Sequence, residues 1–325
     1  MQGFIKKLIF FGLGLVLLLG VGLMLPAPPR ITQSMVFAKV EKDSLLRTVS
    51  GPRLIVVGGS NTAYGLDSQM IKDSLGINPI NTGITYELGL VYMLEATIEY
   101  VQAGDIVVLS PEYQHFFGKF AYGREFLLYS AFDVDGMAPW DLSLAHWENV
   151  YSFFPKYAFS RFKPTEYLPF EGAAINRRYS YNEYGDMDVH WDMEQQTFSP
   201  FTQISRDTYN PEVMSEVLAF QEKIAAKGAH FFVTFPGTQK TSYDNCEEQI
   251  TLVYDKFREK DIALLGDPVR YIMPDSLMFN FPYHMVRKGV ELRTQLLLED
   301  LEVKLVALNR DNGSTSYQHM VVVQE

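Results

Sequence analysis

The chain has 325 residues, 47% of them hydrophobic and 14% aromatic, which is enough for a large buried core and unlike a disordered protein. Its formal net charge of −11 excludes a general nucleic-acid binder, because phosphate backbones reward clustered Lys and Arg and the sequence offers only Arg177-Arg178. The single cysteine, Cys246, excludes an intramolecular disulfide framework and a Cys-rich zinc site, and it is silent on compartment.

From Leu8 to Leu25 no charge interrupts the run LIFFGLGLVLLLGVGLML, which Lys6 and Lys7 precede and Pro26-Ala27-Pro28-Pro29 closes. As a helix it would be about 27 Å long, at the short end of what spans a bilayer, with the lysines kept on the cytoplasmic side. A cleaved signal peptide has a similar layout but a shorter apolar core and a small-x-small cleavage site. Leu-Met-Leu-Pro is a poor one, so residues 1–25 are expected to be an uncleaved anchor. No Cys follows the run, so a lipoprotein anchor is unsupported.

Residues 26–50 read as a Pro-rich stalk and lead-in, and the domain proper is expected over 51–305. Leu54–Val57 has the continuous apolar pattern of a strand covered on both faces, and Gly58-Gly59-Ser60-Asn61 ends it with a turn into a helix. Asn81-Thr82-Gly83 follows a second short strand. Leu90, Val91, Leu94, Ile98 and Val101 recur at helical spacing up to Gly104-Asp105, and Ile106–Leu109 is the next strand, ending in Ser110-Pro111-Glu112-Tyr113. Residues 116–205, rich in Tyr, Phe, Pro, Trp and Asn, read as an elaborated insertion. Asn210-Pro211 caps a helix that runs to Gly228, with His230–Phe235 as the strand after it. Ile250, Val253, Tyr254 and Phe257 mark a further helix, Ile262–Leu265 a short strand, and Val286 to Leu305 a last helix; 306–325 is a C-terminal tail.

Short apolar strands alternating with helices imply an α/β domain with a mostly parallel sheet and helices on both faces. In such sheets the working groups gather at the carboxyl ends of the strands. The loops at Ser60, Gly83 and Glu112 are therefore expected to converge, with the segment before the last helix as a fourth. Ser60 could present its hydroxyl where free backbone N–H groups would stabilise an oxyanion; a Gly-rich turn with a capping serine or a phosphate loop are the other readings. A serine nucleophile needs a base, and of the six histidines His284, just ahead of the last helix, is best placed, with His190 and His115 as alternatives. Tyr122, Tyr129, Trp140, Trp147, Tyr179, Tyr181, Tyr184 and Trp191 could stack on sugar rings, or simply pack an irregular lobe. Arg177 and Arg178 could meet a carboxylate or phosphate.

In order along the chain, Gly58-Gly59-Ser60-Asn61 with Gly65-Leu66-Asp67-Ser68, then Asn81-Thr82-Gly83, Gly104-Asp105 with its strand, and Pro282-Tyr283-His284 resemble the SGNH (GDSL-like) hydrolase superfamily. The similarity covers roughly residues 50–305 and points to the envelope branch that includes proteins of teichoic-acid D-alanylation and alginate O-acetylation. It implies a flavodoxin-like three-layer α/β/α fold, Ser60 as nucleophile, His284 as base, and the N–H groups of Ser60 and Gly83 as the oxyanion hole. Two positions depart from the pattern. The acid usually found three or four residues before the histidine is replaced by Asn280 and Phe281, so Asn280 would orient the ring without a charge, and Asp275 is the nearest carboxylate. The oxyanion asparagine after the third strand is replaced by Pro111-Glu112-Tyr113, which makes Glu112 the missing acid or, with Asn61 and Tyr113, a substrate ligand.

The implied activity is acyl esterase or acyltransferase chemistry on O-acyl, notably acetyl, groups of an envelope or exported polysaccharide, without cofactor or metal. The implied partners are the polysaccharide or acylated glycan and a membrane O-acyltransferase. The expected setting is a bacterial inner membrane, crossed once, with the domain on the periplasmic side. The contrasting expectation is a catalytically inactive member of the same fold that binds glycan or scaffolds an export complex.

Overall fold

The computed structural model describes residues 1–168 and 172–312. Helix α1 (Gln2–Met24) is long and apolar enough to cross a membrane and is largely unburied. The domain is α/β around four parallel strands, β1 (Arg53–Gly58), β2 (Asn78–Asn81), β3 (Ile106–Ser110) and β4 (His230–Val233), in the order β2-β1-β3-β4. The run expected as a strand at Ile262–Leu265 makes only an isolated parallel bridge, Leu264 to Val233 at the outer edge of β4.

Because alternate residues of a strand face opposite ways, the apolar runs feed two cores. Ile55, Val57, Val107 and Leu109 pack with α5 (Leu90–Ile98), α7 (Pro211–Ala226) and α8 (Lys240–Glu259). Leu54, Val56, Ile106 and Val108 pack with α4 (Ser68–Leu75) and α9 (Arg287–Asn312). Asn210 caps α7 by accepting from the Glu212 N–H, with Pro211 at the first helical position, as the sequence expects. Helix α9 runs on to Asn312, into the stretch expected as a tail; residues 313–325 lie outside the described residues.

Residues 26–50 are not a free stalk. They hold helix α2 (Lys39–Thr48), and Val36, Phe37, Ala38 and Leu46 are buried in the domain. Below the sheet Arg53 is completely buried. It donates to both oxygens of Asp105, to Leu46 O at 2.7 Å and to Tyr100 O at 2.8 Å, tying the starts of β1 and β3 to α2.

The segment before α9 is a small antiparallel hairpin, β5 (Met278–Phe281) with β6 (His284–Met285), in which Phe281 pairs with His284. His284 therefore stands on a strand and not in an open loop. The insertion, 116–205, consists of short helices and turns, among them α6 (Phe154–Ser160).

Candidate functional site

Register decides which loops meet. Gly58 pairs with Ser110 and Val56 with Asn81, so β1 and β3 end level and β2 two residues short of them, and the segments after them share one rim. Gly59 lets the chain turn against its neighbours: a Cβ there would fall 2.8 Å from both Glu112 Oε1 and the Tyr86 nitrogen. The next residues form a single helical turn, α3 (Ser60–Ala63), with Ser60 first.

The Ser60 hydroxyl donates to Glu112 Oε1 at 3.4 Å, and the Asn61 N–H donates to the same oxygen at 3.0 Å. Glu112 is fully buried and its Oε2 has no partner among the described residues. Burial raises its pKa to about 7, although the bonds from Asn61 and Ser60 favour the ionised form. The Ser60 N–H meets no acceptor among the described residues, leaving one donor at the start of the turn.

Gly83 packs directly on this turn, since a Cβ would lie 2.0 Å from Thr62 Oγ1 and 2.5 Å from Gly59 O. Its N–H, expected as the second oxyanion donor, is bonded to Asn81 Oδ1 at 3.0 Å. Asn81 Nδ2 in turn bonds Thr62 O and Asp186 Oδ1, at 2.9 and 2.8 Å. Buried Lys42 of α2 donates to the carbonyls of Asn81 and Gly185. Burial lowers the Lys42 pKa and raises that of Asp186. A buried polar network thus fixes the Gly83 loop from behind.

His284 donates no bond to Ser60 and accepts none from it. Its Nδ1 lies 2.8 Å from Asn280 Oδ1, and its Nε2 is buried without a partner among the described residues. An amide oxygen can only accept, so the network assigns the proton to Nδ1 and leaves Nε2 as a bare acceptor. Burial, with nearby His190 adding to it, lowers the His284 pKa to about 3, so the ring is neutral at physiological pH. It stacks on Tyr64, one turn past Ser60, with centroids 4.0 Å apart and planes 8° apart. Phe281 lies tilted against His284, centroids 5.1 Å apart, and stacks on Tyr86, extending the aromatic wall. Sequence reasoning missed Tyr64 and Tyr86; the signal for Tyr64 was its place four residues after Ser60 on a helical turn. Asp275 does not reach the histidine but accepts from Thr241 at the start of α8.

Four expected substrate ligands are used otherwise. Asn61 bonds Ser110 O and Oγ through Nδ2 and accepts the Gly59 N–H, so it staples β1 to β3. Tyr113 is a core ring, 2% exposed. Arg178 is forked on Glu41 at 2.6 and 2.9 Å, and Arg177 donates to Gly172 O, so the pair does not converge on a free anion site. Of the insertion's aromatics, Tyr122 and Tyr129 are buried while Trp140 and Tyr179 are exposed.

Among the described residues no cluster of His, Cys, Asp and Glu could hold a metal ion. Comparison with models of known families, with curated proteins and with solved structures returns no match to this chain.

Proposed function

We propose that the chain is a membrane-tethered serine esterase or acyltransferase acting on O-acyl groups, acetyl foremost, of an envelope or exported polysaccharide, as the SGNH resemblance implies. The carrying observation is the contact between Ser60, at a strand-end turn with an unspent N–H, and a fully buried carboxylate that titrates near neutrality. The strand order, with Leu264 extending the β4 edge, supports a flavodoxin-like three-layer arrangement. The apolar α1 preceded by Lys6 and Lys7 supports a single crossing of a bacterial inner membrane with the domain on the periplasmic side.

In this mechanism Ser60 Oγ attacks the acyl carbonyl as its proton passes to Glu112, and the Ser60 N–H receives the oxyanion. Collapse releases the sugar oxygen, which takes the proton back from Glu112 and leaves an acyl-Ser60 ester. Water or a second sugar hydroxyl then attacks that ester, giving up its proton to Glu112 and freeing Ser60. His284 Nε2 is the second unprotonated acceptor, and the base by resemblance. A membrane O-acyltransferase would supply the acyl group where the reaction is transfer.

A second reading, an inactive glycan-binding or scaffold member of the same fold, is favoured by Asn280 in place of a carboxylate and by the missing Ser60–His284 bond. Full-length protein in detergent, treated with a serine-directed fluorophosphonate and assayed on p-nitrophenyl acetate, divides the two. Labelling and turnover that vanish in Ser60→Ala support the enzyme, and comparing Glu112→Gln with His284→Asn identifies the base. An inert wild type leaves the binding module.

A further inference from the structure

The aromatic lobe meets the N-terminal helix at one point that fixes its height. Gly22 of α1 is buried against α6 and the residues after it, where a Cβ would lie 2.5 Å from Ala158 O and 3.1 Å from a Phe162 ring carbon. Gly22 stands three residues before Leu25, the last of the apolar run, so its level is about 4–5 Å inside the end of that run. The next contact agrees with the first: Pro29–Thr32, just past the exit of α1, lies against the turn Pro164–Tyr167.

Two segments of the lobe are therefore pinned at the level where α1 leaves the hydrocarbon, a zone several ångströms deep on each side of a bilayer. They expose large side chains there: Phe162 is 40% exposed, Tyr167 52% and Leu168 56%. The lobe does not lack an interior for such groups. It buries Tyr129 and Tyr157, and Arg161, its side chain nearly covered, forks on Asp133 and lies over the Tyr157 ring. Aromatic rings with a polar tip favour the headgroup level, where the body is apolar and the tip is wet.

We propose that this edge of the lobe seats on the lipid bilayer through Phe162, Tyr167 and Leu168, as a second membrane contact beside α1. The inference rests on α1 crossing the membrane. Since the lobe follows β3, on the rim that carries Ser60 and Glu112, seating it would hold the candidate site at the membrane surface.

The test uses the full-length chain in phosphatidylcholine–phosphatidylglycerol vesicles, with Cys246→Ala as background. Nitroxide labels go on Phe162→Cys, Tyr167→Cys and Leu168→Cys, and on Val303→Cys of α9 as control, since Val303 is 70% exposed on a helix of the other sheet face. The readout is the ratio of collision with oxygen, which enriches in lipid, to collision with a water-soluble nickel chelate. The expected ratio at the lobe labels is several-fold above that at Val303→Cys. Equal ratios overturn the proposal, as does shielding from both reagents, which would mean that protein covers this edge. A chain that fails to float with the vesicles removes the anchor and the lobe contact together, whereas floating chains with water-exposed lobe labels remove the lobe contact alone.

Discussion

The carboxylate of Glu112 is fully buried, one of its oxygens has no partner among the described residues, and the other lies beside the Ser60 hydroxyl. Burial holds its proton in the folded state up to about pH 7, while an unfolded chain releases it near 4.5. Between those values the folded state binds more protons than the unfolded one, so stability from this group is fully present below about pH 4.5 and is lost as pH rises through about 7. The loss amounts to about 3 kcal/mol. Glu112→Gln keeps the shape and an acceptor for Asn61 but has nothing to ionise. Its unfolding free energy relative to wild type should therefore climb by roughly that amount from pH 4.5 to 8 in urea denaturation. A parallel pair of curves would mean that Glu112 is already solvated or paired. Turnover in the same variant should fall steeply, because a primary amide cannot take the serine proton.

Among the elements, the sheet depends on a clamp at the end opposite the site. Arg53 begins β1 and Asp105 precedes β3, and both are buried. Removing the guanidinium would leave a buried carboxylate with its Gln102 N–H bond but no cation, and the Leu46 and Tyr100 carbonyls without their donor. Arg53→Leu should therefore cost about 3–5 kcal/mol, read as a lowered urea midpoint at unchanged slope. The strands themselves were legible, since Leu54–Val57 and Ile106–Leu109 are apolar throughout and must be covered on both faces. Their parallel register then made the meeting of Ser60, Gly83 and Glu112 a matter of topology. Helix α2 was not legible because its buried positions include Lys39, Lys42 and Asp43, and charges on the inner face erase the apolar period. The β5–β6 hairpin escaped notice because its paired stretches are too short to show alternation. Glu112 was legible as a candidate acid after a strand, but not as the direct partner of Ser60: a sequence does not show that the fold buries its carboxylate completely.

On the scale of the whole molecule, α2 joins the apolar N-terminal helix to the candidate site. Lys39 bonds Asp43 and Asp135 of the lobe, Glu41 holds Arg178, and Lys42 reaches the carbonyls behind Gly83. The segment that follows α1 is thus structural in the domain, which fixes where a form without α1 can begin. A chain starting at residue 34 keeps Val36, Phe37 and Leu46, which are 1, 7 and 3% exposed, whereas one starting at residue 51 loses all three with the Lys42 contacts. At about 1.5–3 kcal/mol per buried large apolar side chain, the shorter form forfeits roughly 5–9 kcal/mol. That is comparable with the entire stability of a typical domain, about 5–15 kcal/mol. The form from 34 should give a cooperative thermal transition, and the form from 51 should be insoluble or lack one. Equal transitions for both would show that residues 34–50 only rest on the surface, and the link from α1 to the candidate site drawn through Lys42 would go with them.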